Sequence, residues 1–149
     1  MERHDYRSSI TTRLSPGEAI DRIGRVADWW TQKGFSGKAL EAGDTFTVRF
    51  GETSVDLVVS ELVRGTRVVW EVKDSHLPWL RDQKEWNHTR IVWEVAGEDG
   101  GTRVTMTHSG LTPEVECYES CKAGWDFYFG KSLLKLLADD EGLPDGKGR

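Results

Sequence analysis

The sequence is poor in the residues that form covalent cross-links and metal clusters. It has only two cysteines, Cys117 and Cys121, in 149 residues. Their spacing is unlike the two-residue spacing of thioredoxin-type pairs and zinc knuckles. On a helix the two side chains would run roughly parallel along one face, which disfavours a disulfide. We therefore expect a buried, reduced pair and no metal or other cofactor. The alternative is a metal site with His108 as a third ligand.

Long apolar segments and blocks of like charge are also missing. No segment approaches the roughly 20 apolar residues that a membrane-spanning helix requires, and residues 1–5 lead into a polar strand rather than into the apolar core of a signal peptide. Acids and bases are interspersed at a net charge of −5, which argues against nucleic-acid binding and stable membrane insertion. We predict one domain over residues 1–149, located in the cytoplasm as a monomer or weak homodimer.

The common sequence signatures of enzymes are absent as well. There is no nucleophile elbow, phosphate-binding loop, paired-carboxylate signature or metal-binding helix of familiar spacing. No catalytic residue is therefore predicted, and a non-enzymatic role is favoured. A thiolate pair of Cys117 with His108 is the enzymatic alternative that stays open.

Apolar residues follow a period-two pattern over the first two thirds of the chain, which predicts an antiparallel sheet with one covered face. The first such segment covers residues 6–12, and it is followed by a capping box, Ser15-Pro16-Gly17-Glu18, that begins a short helix. A second short helix is predicted over residues 26–30. Further alternating segments are residues 45–50, 55–60, 67–73, 90–95 and 103–108.

The C-terminal part has the spacing of a long amphipathic helix. Thr112 could cap it, Pro113 suits its first turn, and Gly142 and Pro144 would end it. Gly124 and Gly130 interrupt the helical segment, where glycine costs about 1 kcal/mol relative to alanine. They indicate a bend or a cavity beneath the helix, or alternatively close packing against a tryptophan of the sheet. The apolar stripe consists of Tyr118, Cys121, Trp125, Tyr128, Phe129, Leu133, Leu136 and Leu137.

Residues 74–85 form a long connection of mixed character between two predicted strands. Connections of about 12 residues are often lids or binding loops. We predict that His76, Leu77, Trp79 and Leu80 cover the mouth of a cavity. The alternative is a packed loop with a short helical turn.

Seven tryptophans are many for a chain of this size, and rigid aromatic walls are typical of apolar ligand sites. The alternative is that these rings only fill the core. His108 could orient a ligand or act as a base, or it could be satisfied by a neighbouring polar group. A bulge near Trp86 would decide whether that ring faces outward or into the cavity. The predicted cavity residues are Trp30, Trp70, His76, Trp86, Trp93, Met106, His108, Tyr118, Cys121, Trp125, Tyr128 and Phe129.

Several short motifs resemble a known family over nearly the whole chain. They are Trp70-Glu71-Val72, Asp74-Ser75-His76-Leu77, Glu85-Trp86-Asn87, Thr107-His108-Ser109-Gly110-Leu111 and Glu116-Cys117-Tyr118. These motifs are similar to those of a bacterial subgroup, of largely unassigned function, related to the activator of heat-shock protein 90 ATPase (AHSA-like). That subgroup lies within the SRPBCC, or START-like, superfamily. His88 departs from the pattern, because the family usually has glycine there.

The resemblance implies an α+β helix-grip (START/Bet v-like) fold. In this fold two short helices follow the first strand, and a curved antiparallel sheet wraps around a long C-terminal helix. Members of this superfamily bind apolar small molecules, act as enzymes or stimulate the chaperone ATPase, so the resemblance alone does not choose among these functions. The aromatic content favours binding of a small hydrophobic or amphipathic ligand, such as a lipid, a polyketide-like compound or an aromatic molecule, in a cavity between the sheet and the C-terminal helix. A chaperone partner is the first alternative, with a stress-related co-chaperone role of the heat-shock protein 90 activator type. A cyclase- or hydrolase-like enzyme that uses the same cavity is the second.

Overall fold

Seven antiparallel strands form one curved sheet, which packs against a C-terminal helix in this computed structural model. The structure describes residues 4–147, so Met1–Arg3 of the N-terminal segment 1–5 lie outside the described residues. The strand order across the sheet is β1-β7-β6-β5-β4-β3-β2. The strands are β1 (Tyr6–Thr12), β2 (Ser36–Gly37), β3 (Thr45–Phe50), β4 (Thr53–Val63), β5 (Arg67–His76), β6 (Arg90–Glu98) and β7 (Gly101–Ser109).

Two short helices, α1 (Pro16–Ile23) and α2 (Val26–Trp29), follow β1 as predicted. The capping box is formed, since the Ser15 hydroxyl accepts a hydrogen bond from the Glu18 N–H and the Glu18 carboxylate accepts one from the Ser15 N–H. The Trp29 indole N–H donates to the Ile23 carbonyl at 3.0 Å. This bond joins α2 to the end of α1 and directs the Trp29 ring into the core.

The alternating pattern of the sequence is confirmed by the burial of the strands. On β7, Val104, Met106 and His108 are fully buried on the inner face of the sheet. Trp93 of β6 lies opposite Met106, and it pairs on its other side with a residue of β5. The pairing of β4 with β5 shifts register twice, between Asp56 and Leu57 and between Val59 and Glu61. Such bulges increase the local twist of a sheet.

The C-terminal helix begins later than the sequence predicts. Thr112 is not its cap and Pro113 is not in its first turn, because residues 113–117 form turns and the helix α3 (Tyr118–Phe127) begins at Tyr118. The Val115 N–H donates to the Thr112 carbonyl and the Tyr118 N–H to the Val115 carbonyl. Each of these hydrogen bonds joins residue i to residue i−3, whereas the bonds of an α-helix join residue i to residue i−4.

The helix also ends earlier than predicted and contains a wider turn. A π-helical turn, Tyr128–Leu133, separates α3 from α4 (Leu134–Asp139) and contains Gly130. Asp140, rather than Gly142 or Pro144, caps the end in a left-handed conformation with φ of 66°. None of the helices in residues 4–147 is long and apolar enough to cross a membrane.

Hydrogen bonds fix the C-terminal helix against the N-terminal helices. The Ser132 hydroxyl, in the π-helical turn, donates to the Trp29 carbonyl at 2.6 Å. The Arg22 guanidinium donates to the Leu136 carbonyl at 2.8 Å. Because both acceptors are main-chain carbonyls, the register of α3 and α4 relative to α1 and α2 is set by the backbone as well as by apolar packing.

The connection after β5 begins and ends later than predicted, because β5 continues through His76 and β6 begins only at Arg90. Asp74, Ser75 and His76 therefore belong to the strand. The loop proper covers residues 77–89 and consists mainly of turns. Trp86 lies in this loop rather than on a strand, so strand parity does not determine its direction, and its side chain is buried.

Candidate ligand-binding site

An apolar cavity of about 180 Å³ lies between β3, β4, the loop 77–89 and α3. Aliphatic and aromatic side chains form most of its wall, and among the described residues the lining brings no charged side chain to it. The lining residues are Trp30, Val48, Phe50, Thr53, Val55, Leu77, Trp79, Trp86, Ser120, Cys121, Gly124, Trp125 and Tyr128. We call this space the apolar cavity.

Stacked rings build one side of the apolar cavity. Trp86 and Trp125 lie nearly parallel, with ring centroids 6.2 Å apart and an interplanar angle of 12°. Trp30 contacts Trp125 at a centroid distance of 5.0 Å, and Tyr128 contacts Phe50 of β3 at 5.7 Å. Offset aromatic pairs of this kind contribute about 0.5–1.5 kcal/mol each beyond the area that they bury. These pairs therefore stabilise the wall.

The apolar cavity reaches the surface between the loop 77–89 and α3. Trp79 and Ser120 are lining residues that are also exposed, and 51% of Trp79 is accessible to solvent. The Trp79 indole N–H donates to the Thr53 hydroxyl at 3.2 Å. Thr53, Trp79 and Ser120 form the mouth of the cavity, which therefore has two side-chain hydroxyl groups, those of Thr53 and Ser120.

Gly124 provides the space beneath α3. A Cβ atom added at Gly124 would meet no heavy atom within 4 Å, and the same holds for Gly130. Close packing of these glycines against a tryptophan is therefore not what the structure shows. Gly124 lines the apolar cavity whereas Gly130 does not, so only the former leaves room for a ligand.

His108 lies behind the cavity wall and holds the wall in place. The Trp125 indole N–H donates to His108 Nδ1 at 3.0 Å. Because Nδ1 accepts, the proton of the neutral ring is on Nε2, which donates to the Thr89 hydroxyl at 2.9 Å. The Thr89 hydroxyl donates in turn to the Trp86 carbonyl at 2.7 Å. Both stacked tryptophans are thus connected to one histidine.

The burial of His108 keeps its ring neutral. No part of the residue is exposed, and burial lowers the pKa of His108 to about 3 because a charged imidazolium would lose its hydration. The ring does not line the apolar cavity. Its position behind Trp125 agrees with the alternative in which a neighbouring polar group satisfies the histidine.

The two cysteines are free and buried at the beginning of α3. Cys121 lines the apolar cavity, whereas Cys117 lies deeper and accepts a hydrogen bond from the Trp86 indole N–H at 3.4 Å. The hydrogen bond between the two thiols lowers the pKa of Cys121, and that bond together with burial raises the pKa of Cys117. Among residues 4–147, no group of three or more His, Cys, Asp or Glu side chains is arranged to hold a metal ion.

Two carboxylates hold the loop 77–89 against the beginning of α3. Glu116 accepts hydrogen bonds from the N–H groups of Arg81 and Asp82. Glu85 accepts hydrogen bonds from the N–H groups of Glu116 and Cys117. The middle of the loop, residues 81–85, is therefore held against the residues that precede α3, while Trp79 lies outside these contacts.

The predicted site residues fall into three groups. Five of them line the apolar cavity: Trp30, Trp86, Cys121, Trp125 and Tyr128. Five others are fully buried in the core behind it: Trp70, Trp93, Met106, His108 and Phe129. His76 is exposed at the end of β5, and Tyr118 is half-buried at the beginning of α3. Of the predicted lid residues, Leu77 and Trp79 line the cavity and His76 and Leu80 do not.

Part of the lining was absent from the predicted set. Val48, Phe50 and Val55 lie in the alternating segments 45–50 and 55–60, but no sequence signal shows which part of the inner face of the sheet borders the cavity. Thr53 and Ser120 carry no sequence signal for a site. They become lining residues only because the β3–β4 turn and the first turn of α3 approach each other.

His88, the departure from the family pattern, lies on the surface. Its φ angle is 68°, a left-handed conformation that glycine adopts without penalty and a bulky residue does not. The side chain is exposed, and it is not part of the cavity lining.

Solved structures with this architecture come from several organisms. The Aha1 dimer from Colwellia psychrerythraea is 22% identical, with a TM-score of 0.75 over 93% of this chain and 99% of that chain. A heat-shock protein 90 activator from Plasmodium falciparum is 18% identical, with a TM-score of 0.58 over 84% of this chain and 89% of that chain. A protein from the dynemicin biosynthetic locus is 20% identical, with a TM-score of 0.63 over 91% of this chain and 48% of that chain. At these identities the likeness establishes the fold.

The curved antiparallel sheet and the helix packed across it define a helix-grip fold. The family model described as "Activator of Hsp90 ATPase homolog 1-like protein" matches residues 18–138. The chain therefore belongs to this AHSA1-like family. No curated protein matches the sequence significantly.

Proposed function

We propose that this protein binds a small, predominantly apolar molecule in the apolar cavity, as a carrier or sensor rather than as an enzyme. The single observation that carries the proposal is the lining, in which aromatic and aliphatic groups surround a space with an open mouth. Sites for small molecules have this composition, with a few polar groups that fix orientation. Here the hydroxyls of Thr53 and Ser120 are the candidates for that orienting role.

The volume limits the size of the ligand. Sites for drug-sized molecules enclose roughly 300–1,000 Å³, and a dry cavity of roughly 150 Å³ is enough for benzene. A cavity of about 180 Å³ therefore accommodates one aromatic ring or the end of a short chain. A larger lipid or polyketide-like compound would place its remaining atoms, and any polar group, at the mouth near Trp79 and Ser120.

Acid–base chemistry is not favoured by the lining. Apart from the aromatic residues, the polar side chains of the lining are those of Thr53, Ser120 and Cys121. His108 is neutral and separated from the cavity by Trp125. General acid–base catalysis uses groups within hydrogen-bond reach of the reacting atoms, so the cyclase- or hydrolase-like alternative is not proposed.

The first test combines native mass spectrometry of gently purified, untagged protein with titration of a single-ring probe. Binding of 4-fluorotoluene, followed by fluorine NMR, is expected to saturate at one molecule per chain. Gly124→Leu should weaken binding by about tenfold or more, because its side chain occupies the space under α3. Gly130→Leu is the matched control, since Gly130 lies on the same helix outside the cavity, and it should bind as the wild type does.

Two results would contradict the proposal. One is a bare protein that also shows no saturable binding of the probe. The other is saturable binding that Gly124→Leu leaves unchanged, because the bound probe would then lie elsewhere on the molecule.

A second candidate function, stimulation of a heat-shock protein 90 type ATPase, is favoured by the family membership and by the solved activator from Plasmodium falciparum. An increase in chaperone ATPase rate on addition of the wild-type chain would support it. Gly124→Leu separates the two candidates, because a co-chaperone that acts through its outer surface keeps its effect when the cavity is filled. A rate unchanged at saturating protein would exclude this candidate.

A further inference from the structure

The Cys121 thiol is a nucleophile placed on the wall of the apolar cavity. The residue is 9% exposed, and it lines the cavity together with the rings of Trp86, Trp125 and Tyr128. Cys117 is 1% exposed and is not a lining residue. A molecule that enters the cavity therefore meets one of the two thiols.

The surroundings of Cys121 favour its thiolate form. Cys117 provides a hydrogen bond to Cys121, and the Trp86 indole is a second donor close to the thiol pair. Cys121 is the fourth residue of α3, and the positive end of a helix dipole favours a thiolate in its first turn. The Cys117 thiol, followed by the Trp86 indole, holds the pKa of Cys121 below its ordinary value.

Burial of the thiol and, to a smaller extent, a nearby carboxylate oppose this effect by raising the pKa of Cys121. The carboxylate is engaged in other bonds. Glu85 would raise the pKa of Cys121 through its charge. Its two oxygens accept the N–H groups of Glu116 and Cys117 at 3.0 and 2.9 Å. These donors stabilise the carboxylate. The pKa of Cys121 remains below its ordinary value.

We propose that Cys121 is a covalent attachment site for small apolar electrophiles of the α,β-unsaturated carbonyl class. This inference rests on the proposed binding function, because the aromatic wall concentrates the electrophile beside the thiol before any bond forms. Anionic electrophiles of equal intrinsic reactivity are disfavoured, since the lining has no basic side chain to compensate for their lost hydration.

The reaction is a conjugate addition. The Cys121 thiolate attacks the β-carbon and forms one carbon–sulfur bond, while the electron pair of the carbon–carbon double bond moves to give an enolate. The α-carbon then takes up a proton, equivalent to the proton lost when Cys121 ionised. The product is a saturated thioether, and the step needs no oxidant, reductant or leaving group.

Two maleimides with the same reactive group test the inference on the full untagged chain. One is N-phenylmaleimide and the other is N-(2-carboxyethyl)maleimide, and each rate is divided by the rate with glutathione. Intact mass and peptide mapping should show a single adduct at Cys121. Burial of the phenyl ring predicts a preference of about tenfold or more for the phenyl reagent.

Variants identify the site and the cavity. Cys121→Ser should remove the adduct. Gly124→Leu should abolish the preference for the phenyl reagent, and Gly130→Leu should retain it. Three results would overturn the proposal. They are modification of Cys117 before Cys121, the absence of an adduct at Cys121, and equal normalised rates for the two reagents.

The saturated analogue N-phenylsuccinimide separates this inference from the binding function. If it binds saturably in a Gly124→Leu-sensitive manner while N-phenylmaleimide gives no adduct at Cys121, the covalent site is refuted and the binding function stands. If it does not bind and the maleimides show no preference, both are refuted.

Discussion

The buried ring of His108 should make this protein less stable as the pH falls from 7 to 5. Its ring is buried and neutral, with a pKa of about 3 in the folded state, whereas an unfolded histidine has a pKa of about 6.5. Between these two values the unfolded chain binds more protons than the folded chain. The stability contributed by His108 is therefore complete above pH 6.5 and is lost progressively as the pH falls towards 3.

The size of the effect follows from the two pKa values. One pKa unit corresponds to about 1.4 kcal/mol. Lowering the pH from 7 to 5 should thus remove about 2 kcal/mol of the free energy of unfolding through His108 alone. This is a large share of the stability of an ordinary domain, which is roughly 5–15 kcal/mol.

Urea unfolding at pH 7, 6 and 5 measures this loss, with His108→Gln as the matched control. Glutamine stays neutral at every pH, and its amide offers an acceptor and a donor to the Trp125 indole and the Thr89 hydroxyl. The variant shares all other titrating groups with the wild type. Its loss of stability between pH 7 and pH 5 should be smaller by about 2 kcal/mol.

The quantity compared between wild type and His108→Gln is the change in the free energy of unfolding between pH 7 and pH 5. A loss of stability that is the same at every pH therefore does not affect the result. Equal pH dependence in wild type and His108→Gln would refute the account of His108 as a neutral histidine behind the cavity wall. A steeper dependence in the variant would refute it as well.

Three further changes test other parts of the structure. Gly124→Ala should raise the free energy of unfolding by up to about 1 kcal/mol in urea unfolding, because the position is helical and open; destabilisation would show that the space is not free. His88→Gly should also stabilise, by about 1 kcal/mol, since φ is 68°, and a loss would show that the imidazole makes a needed contact. Glu116→Ala should speed amide exchange at Arg81 and Asp82, whose N–H groups it holds, and unchanged protection would contradict the proposed anchoring of the loop.

The strands and the two N-terminal helices could be predicted because their signals are local. Alternation fixes the inner face, and the Ser15–Glu18 capping box lies within four consecutive residues. The start of α3 could not be predicted in the same way. Thr112 and Pro113 have the residue types of a helix start, yet contacts of Glu85 and Glu116 between distant segments hold the preceding turns. Propensity gave the wrong boundary because tertiary hydrogen bonds compete with it.

The sequence predicts that the candidate site is aromatic and apolar, but it does not predict which residues border the cavity. Spacing places Trp70, Trp93 and Trp125 on covered faces, and all three are buried. Only Trp125 reaches the cavity. Which inward-facing rings border empty space depends on the direction of the loop 77–89, which residue type and period do not encode. The glycines indicated space beneath the helix, but residue type does not distinguish Gly124, which lines the cavity, from Gly130, which does not.

The most direct test of the central claim, an apolar cavity that binds a small molecule, is a crystal structure of the protein soaked with iodobenzene. Anomalous scattering locates the iodine atom without reference to the surrounding density. The structure predicts one strong iodine site between Trp86, Trp125 and Tyr128, and its loss in Gly124→Leu. An empty cavity in the soaked crystal, or iodine bound only at the exposed face of Trp79, would contradict the claim.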